Sequence, residues 1–543
     1  MQLKTQQCTA LHWFQRFFNA DVIFRIVEQT NLYVNGLLEK PRPERLHARF
    51  PWPPKWTENW EELTEDKLFQ FLALLVYMAQ HKTGSERELW SRHWFHHRSG
   101  VHRIMRFNEF QRIKAALHFQ DDAEDRGRGE GEPDYLWKIG ILMEMIQLSF
   151  MNEYNPGRDL AFDAITILMT GATSLKHITR HKPVHESIMF WALAESVESK
   201  QYLWWFDINR NDGVHGKIHK AVMASVKHLD RNAGHRIYMD NLFTSAALLS
   251  EIRLLGHSAC GTCPAGRGLP PELEAIKKAP KGASQVGVYR ESGVQKQGDW
   301  AWALSQTHNL LGVAWWDSGV CMFMSNCHDP VESVVKRRKR GHPGQLEVPA
   351  PVCAVQYNES MGAVDDVDRV RVLCSTRLRS PKWYMAIFFF LLDSALNNAF
   401  TLFRRHHAGT KLGEMHRRPW MSMLCEELME AAGIGDGIDI DEPPAWTPTF
   451  SDGKDMVMRT RIAKLLLPQS RQWKERLRGG RHFLGTTEGS DKRKNCALCY
   501  KTNPCKQGEL RVAHYCKQCA VFLHLDCFEA WHTQRDPVSA RFL

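Results

Sequence analysis

The chain has 543 residues, 43% of them hydrophobic and 24% charged, and a net charge of +10. That balance excludes a disordered polyelectrolyte, and the length excludes one small core, so three or more lobes are expected. The cationic excess favours an anionic partner. The N-terminus MQLKTQQCTALHW lacks an apolar signal segment, and the most apolar run, AIFFFLL (386–392), stops at Asp393, short of a bilayer span. A soluble intracellular protein is the expectation.

Residues 10–150 read as helices. Asp21 to Tyr33 carries apolar residues at helical spacing, and Thr64 is placed to cap a helix with Glu65 and Asp66 in its first turn and LFQFLALLVYMA (68–79) after them. A third helix fits 107–119. The polar, Gly-rich stretch 121–134 is a loop, and helical periodicity resumes over 135–150. From Arg158 the pattern turns to strands: LAFDAITIL (160–168), SIMFWALAE (187–195), QYLWWFDI (201–208) and HRIYMD (235–240). A helix, NLFTSAALLSEIRLL (241–255), is ended by Gly256, and SACGTC (258–263) reads as a further strand. That order suits an α/β fold with a mixed sheet. Residues 267–351 read as an insertion with β-like runs QVGVYRE, WAWALSQ and VCMFMSN, and the chain is helical again after residue 375.

Three carboxylates, Asp365, Asp366 and Asp368, crowd into MGAVDDVDRV (361–370). Like charges so close repel, so the segment is either a solvated acidic turn or a place for a cation. Asp163 lies inside the first strand, where an uncompensated charge is costly. Asp240 ends the fourth strand, where an N-cap is the ordinary role for Asp. An Asp in the first strand, one after the fourth and one opening a later helix is how RNase H-like nucleases gather carboxylates. Such a set suits Mg²⁺ or Mn²⁺, which take oxygen ligands and drive phosphoryl displacement.

The strings MDNLFTS (239–245) and YNESMGAVDDVD (357–368) resemble the second and third acidic motifs of piggyBac-type DDE transposases. FFNADVI (17–23) with NLY (31–33), FQRI (110–113) with LHFQDD (117–122), and LWKI (136–139) resemble further family motifs, and the tail resembles its cysteine-rich domain. The resemblance implies Asp163, Asp240 and Asp365 as catalytic metal ligands, with Asp368 supporting them, Asn241 orienting its neighbour and Asp366 an exposed charge. The family follows its first Asp with Glu and an Arg-rich strand exit; here Ala164 and LMTGAT (168–173) stand instead, which removes positive charge beside the site.

Six of the 14 cysteines lie in 496–527, and Cys496-x-x-Cys499, Cys516-x-x-Cys519 and His524-x-x-Cys527, then His532, have zinc-ligand spacing. Cys505 or His514 could complete eight ligands for two ions, and so short a segment is expected to fold only with metal. Cys260 and Cys263 read as two plain thiols. The run KRRKR (336–340) is a solvated loop, a nuclear import signal or a phosphate-contacting arm. Arg377, Arg379, Lys382 and Trp383 suit phosphate contact and base stacking, and the family places a similar cluster against the cleaved DNA end. A buried Trp opening a core helix is the other reading of Trp383.

The resulting expectation is an α/β protein with an RNase H-like catalytic core (155–266 and 352–374), interrupted by a β-rich insertion (267–351). A helical dimerisation and DNA-binding lobe (10–154 and 375–460), a basic linker (461–495) and a zinc-binding domain (496–535) complete it. The resemblance implies a nuclear, homodimeric, Mg²⁺-dependent transposase that cuts double-stranded transposon ends through hairpins and joins them to TTAA targets. The alternative is a domesticated DNA-binding or chromatin protein that keeps the fold without the chemistry.

Overall fold

The computed structural model describes residues 8–41, 52–91, 99–121, 136–169, 171–179, 184–197, 201–209, 217–278, 292–305, 307–338 and 344–434, and, farther on, 484–486, 494–496, 511–512, 514–516 and 521–523. The chain divides into two compact units, Met1–Ile440 and Asp441–Leu543.

The first unit opens with helices α1 (Ala10–Gln15), α2 (Ala20–Glu39), α3 (Glu65–Gln80), α4 (Ser99–Ile104), α5 (Phe107–Ala116) and α6 (Gly140–Asn152). Their starts follow local chemistry. The Asn19 side chain accepts from the Val22 N–H at 3.0 Å, and Thr64 accepts from Lys67 N–H at 3.2 Å, so Thr64 caps α3 as expected. The polar stretch 122–135 lies outside the described residues.

A nine-stranded mixed sheet follows: β1 (Asp159–Leu168), β2 (His177–Ile178), β3 (Glu186–Glu195), β4 (Leu203–Ile208), β5 (Arg236–Met239), β6 (Ser258–Thr262), β7 (Trp300–Ser305), β8 (Leu310–Trp316) and β9 (Val320–Ser325). Its order is β2-β3-β1-β5-β6-β9-β8-β7, with β4 also on β3. Strands β1, β5 and β6 are parallel, and the remaining pairs are antiparallel. All five strands expected over 158–263 are present. Elements that were not foreseen include helix α7 (Lys217–Val226) before β5 and, in the sheet, strands β2 and β8. WAWALS and VCMFMS become β7 and β9 and extend the same sheet beyond β6, whereas QVGVYRE lies outside the described residues.

Helix α8 is shorter than its sequence suggested. It spans Ala246–Leu254, capped by Ser245, whose Oγ accepts from Leu248 N–H at 3.3 Å, so Asp240 is not its N-cap. Gly256 ends it at φ +85°, the left-handed conformation foreseen for that position. Helix α9 (Pro271–Lys278) leads to the β7–β9 strands, and a hairpin of β10 (Glu332–Arg338) and β11 (Gln345–Pro351) precedes α10 (Val352–Ser360) and α11 (Ala363–Leu373).

Helix α12 (Tyr384–His406) runs on through Asp393, where sequence placed the end of the apolar run. Asp393 is fully buried yet satisfied, accepting from Ser375 Oγ at 2.6 Å and from Thr376 N–H and Oγ1 at 2.7 Å each. By length and apolarity α12 passes for a membrane span, but 94% of its apolar window is buried inside the protein, so that apolarity belongs to the core. Its Asn398 bonds both backbone groups of Leu203 at 2.9 and 2.8 Å, closing part of an edge strand. Helix α13 (Arg417–Ala431) packs on α3 and α1.

The sheet has two covered faces. Most apolar side chains, including Phe162, Ile237, Met239 and the length of α12, form one large core. Tyr238 and Cys260 point into a smaller cluster with Phe323, Val335, Val348, Cys353 and Ala354, covered by the β10–β11 hairpin and α10. In the second unit, short antiparallel strands pair over Leu484–Thr486, His514–Cys516 and Val521–Phe522, and over Lys494–Asn495 and Arg511–Val512.

Candidate active site

The candidate site begins where the parallel pairing of β1, β5 and β6 stops, while β1 itself runs on to Leu168. Phe162 pairs with Met239, and Met239 pairs with Gly261, so the next residue on each strand is Asp163, Asp240 or Thr262. Side chains alternate along a strand, which puts Asp240 on the face of Tyr238 and Thr262 on that of Cys260. Those neighbours lie in the smaller cluster, under α10. Asp163 and Asp240 are both part-exposed.

The backbone around this row is tightly set. Asp163 accepts from the Ala164 N–H at 2.7 Å. Asp240 starts a turn: its Oδ1 accepts from Leu242 N–H at 2.8 Å, and its carbonyl from Thr244 Oγ1 at 2.8 Å. Asn241 is exposed in that turn. Gly261 lets β6 lie against it, since a Cβ there would meet Thr244 Oγ1 at 2.1 Å and the Met239 carbonyl at 2.4 Å.

Tyr357 of α10 enters the same space. Its hydroxyl lies 3.5 Å from Thr262 Oγ1, and its ring meets Phe323 edge-on at 5.4 Å. Burial, joined by the negative charges of Asp240 and Asp163, pushes the phenol up to about 12, so it stays protonated at neutral pH. Sequence reading passed over Tyr357 and Thr262; the signal was there, because Tyr357 opens the same string that ends in the acidic triplet.

The acidic triplet rides on α11, which packs on β1 and β3 through buried Ala363, Val364, Val367 and Arg371. Two of its carboxylates meet cations on their own helix. Asp366 pairs with Arg369 at 2.8 Å on the surface, and Asp368 pairs with Arg371, whose guanidinium lies 5.3 Å from the Phe390 ring centroid. Asp365 is exposed and, among the described residues, has no ion-pair partner. Also among the described residues, no three His, Cys, Asp or Glu side chains converge closely enough to hold a metal ion. Asp163 and Asp240 thus offer only oxygen ligands, whose chemistry fits a hard divalent cation.

The Arg377–Trp383 segment is largely engaged within the protein. Arg377 donates to the Leu168 carbonyl at 2.6 Å, and burial, with Arg371 nearby, lowers its pKa below the ordinary value. Lys382 donates to the carbonyls of Ala115 and Leu117 and lies 4.9 Å from the Tyr33 ring centroid. Trp383 is half-buried and edge-on to Tyr384 at 5.8 Å, and Arg379 is exposed. Lys336, Arg337 and Arg338 lie on β10, where Arg337 pairs with Asp317 at 3.1 Å and Lys336 faces Glu347; Lys339 and Arg340 lie outside the described residues.

Cys260 and Cys263 are buried, and burial raises both thiols, Cys263 to about 12, which leaves them unreactive. Of the expected zinc ligands, Cys496 is buried and Cys516 is described only as part of a strand. Cys499, Cys505, Cys519, His524, Cys527 and His532 lie outside the described residues.

A mixed sheet that carries two carboxylates on neighbouring strands, just past the end of their parallel pairing, defines a candidate phosphoryl-transfer site. The profile of the family described as Transposase IS4 matches residues 9–400, well over half of the chain, and the chain belongs to this piggyBac-type transposase family. It is 24% identical over 417 residues to human PiggyBac transposable element-derived protein 2, covering 74% of this chain and 62% of that protein. It is 23% identical over 484 residues to human PiggyBac transposable element-derived protein 3, covering 87% and 71%. The chain therefore spans less than two thirds of the first of these relatives. A solved piggyBac transposase synaptic complex with hairpin DNA aligns with a TM-score of 0.62 at 18% identity, over 96% of this chain and 98% of that one, a likeness of fold.

Proposed function

We propose that the protein is a metal-dependent DNA transposase of piggyBac type that cleaves transposon ends and joins them to TTAA targets through hairpin intermediates. One observation carries the proposal: Asp163 and Asp240 are the next residues on β1 and β5 past the last pair of their parallel ladder, Phe162 with Met239. The order β4-β3-β1-β5-β6, with β1, β5 and β6 parallel, supports an RNase H-like core around them.

In this reading Asp163 and Asp240 would hold a divalent cation, with Asp365 as the third carboxylate and Asp368 supporting it. Bound Mg²⁺ or Mn²⁺ supplies Lewis-acid activation of the attacking oxygen and neutralises charge on the leaving one. Arg371 restrains Asp368 by its ion pair. The net charge of +10 supports binding to double-stranded DNA. Arg377 and Lys382 would act by fixing the segment that presents exposed Arg379, with Trp383 beside it for stacking. A homodimer, nuclear location, the expected domain division and a zinc-binding tail with ligands from Cys496 to His532 belong to the same proposal.

The second reading, a transposase-derived DNA-binding protein without cleavage activity, is favoured by Ala164 after Asp163. Co-expression with a marker flanked by the cognate terminal repeats tests the choice. Transposition predicts excision of the marker and new insertions at TTAA; repeat binding in a gel shift with neither event supports the second reading.

A further inference from the structure

The carboxylate row does not end at Asp240. Thr262 occupies the equivalent place on β6, and its hydroxyl meets that of Tyr357 at 3.5 Å. Four separate elements, β1, β5, β6 and α10, thus bring two carboxylates and two hydroxyls to one face of the sheet. The Tyr357 ring is held edge-on by Phe323 of β9, and α10 is seated by buried Cys353 and Ala354, so the phenol has a fixed origin.

We propose that the Thr262–Tyr357 hydroxyl pair is a positioning device that holds the Asp163–Asp240 pair in the arrangement that ligates a divalent cation. A phenol or alcohol can donate to one oxygen of a carboxylate and leave the other for metal. Thr262, in turn, orients the Tyr357 O–H. Partners of this kind, one bond removed from the ion, typically change metal affinity 10–100-fold when lost. The inference rests on reading Asp163 and Asp240 as a cation site.

The test is Mn²⁺ titration of the full chain by calorimetry, with Asp163→Asn as reference and thermal unfolding without metal as the check on folding. Tyr357→Phe keeps the ring and its contact with Phe323 while removing only the hydroxyl. It should raise the Mn²⁺ dissociation constant about 10–100-fold with an unchanged unfolding midpoint. Thr262→Val should weaken binding in the same direction, Thr262→Ser should restore it, and the Tyr357→Phe, Thr262→Val double variant should be no weaker than Tyr357→Phe alone. If Tyr357→Phe binds Mn²⁺ like the wild type while Asp163→Asn does not bind, the hydroxyl pair has no such role and the cation site stands. If Asp163→Asn binds as well as the wild type, the cation site and this inference both fall.

Discussion

Strands β1 and β5 bring charges together at both ends of their pairing, with opposite signs. At the entry, Asp159 lies in register with Arg236, whose Nε and Nη2 reach its two oxygens at 2.6 and 3.0 Å. At the exit, one residue past the last pair, Asp163 lies beside Asp240. A bidentate pair satisfies both charges, whereas two carboxylates side by side repel. The same ladder fixes both, so the exit is no accident of a loose loop. An arrangement that costs stability, built on rigid strands, is what the proposed function expects at its site.

Breaking the entry pair should have the largest effect on stability. Arg236→Met removes the bidentate partner of Asp159, which is only 8% exposed and keeps Arg158 Nε at 3.4 Å and the Tyr238 hydroxyl at 3.3 Å, and should cost about 3 kcal/mol in chemical denaturation. The same pair sets an acid limb. Burial alone would raise the Asp159 carboxyl, but the Arg236 guanidinium outweighs it and holds the group below its ordinary value. A depressed folded pKa means that its stabilisation is present above the ordinary value of about 4 and is lost as pH falls through the folded value. Wild-type unfolding free energy should therefore decline in acid more steeply than that of Asp159→Asn.

Gly261→Ala probes the spacing between β6 and the Asp240 turn. Its Cβ would collide with Thr244 Oγ1 and the Met239 carbonyl, so a loss of about 1–3 kcal/mol is expected in the same denaturation experiment. At the exit the sign reverses: Asp163→Asn relieves repulsion and should unfold at equal or higher denaturant, with a gain of about 0.5 kcal/mol. Asp366→Asn should do least. Its partner Arg369 is a surface neighbour one turn away, and both stability (within about 0.5 kcal/mol) and DNA cleavage should match the wild type.

What sequence revealed of this comparison follows from distance along the chain. The strands were legible as apolar runs, and Asp163 stood out because it interrupts one. The adjacency of Asp163 and Asp240 could be expected from strand order, but their common register with Thr262 could not. Asp393 looked like the end of an apolar run because its partners, Ser375 and Thr376, lie a whole turn-and-helix earlier. The bonds of Lys382 to Ala115 and Leu117 link residues 267 and 265 positions apart, which no local pattern shows. For Asp240 a helix cap was the ordinary alternative to a metal ligand; the cap is Ser245, which leaves the Asp240 carboxylate in the turn.

The central claim is that the exit carboxylates do chemistry. Nicking of a labelled cognate transposon end in Mg²⁺ by wild type and by Asp163→Asn and Asp240→Asn, at protein concentrations giving equal gel-shift occupancy, tests it most directly. Removing one charge at constant volume should slow cleavage by about a thousandfold or more, roughly 4 kcal/mol of barrier, without weakening DNA binding. Cleavage by either Asn variant at the wild-type rate, or no cleavage by the wild type on ends it binds, would contradict it.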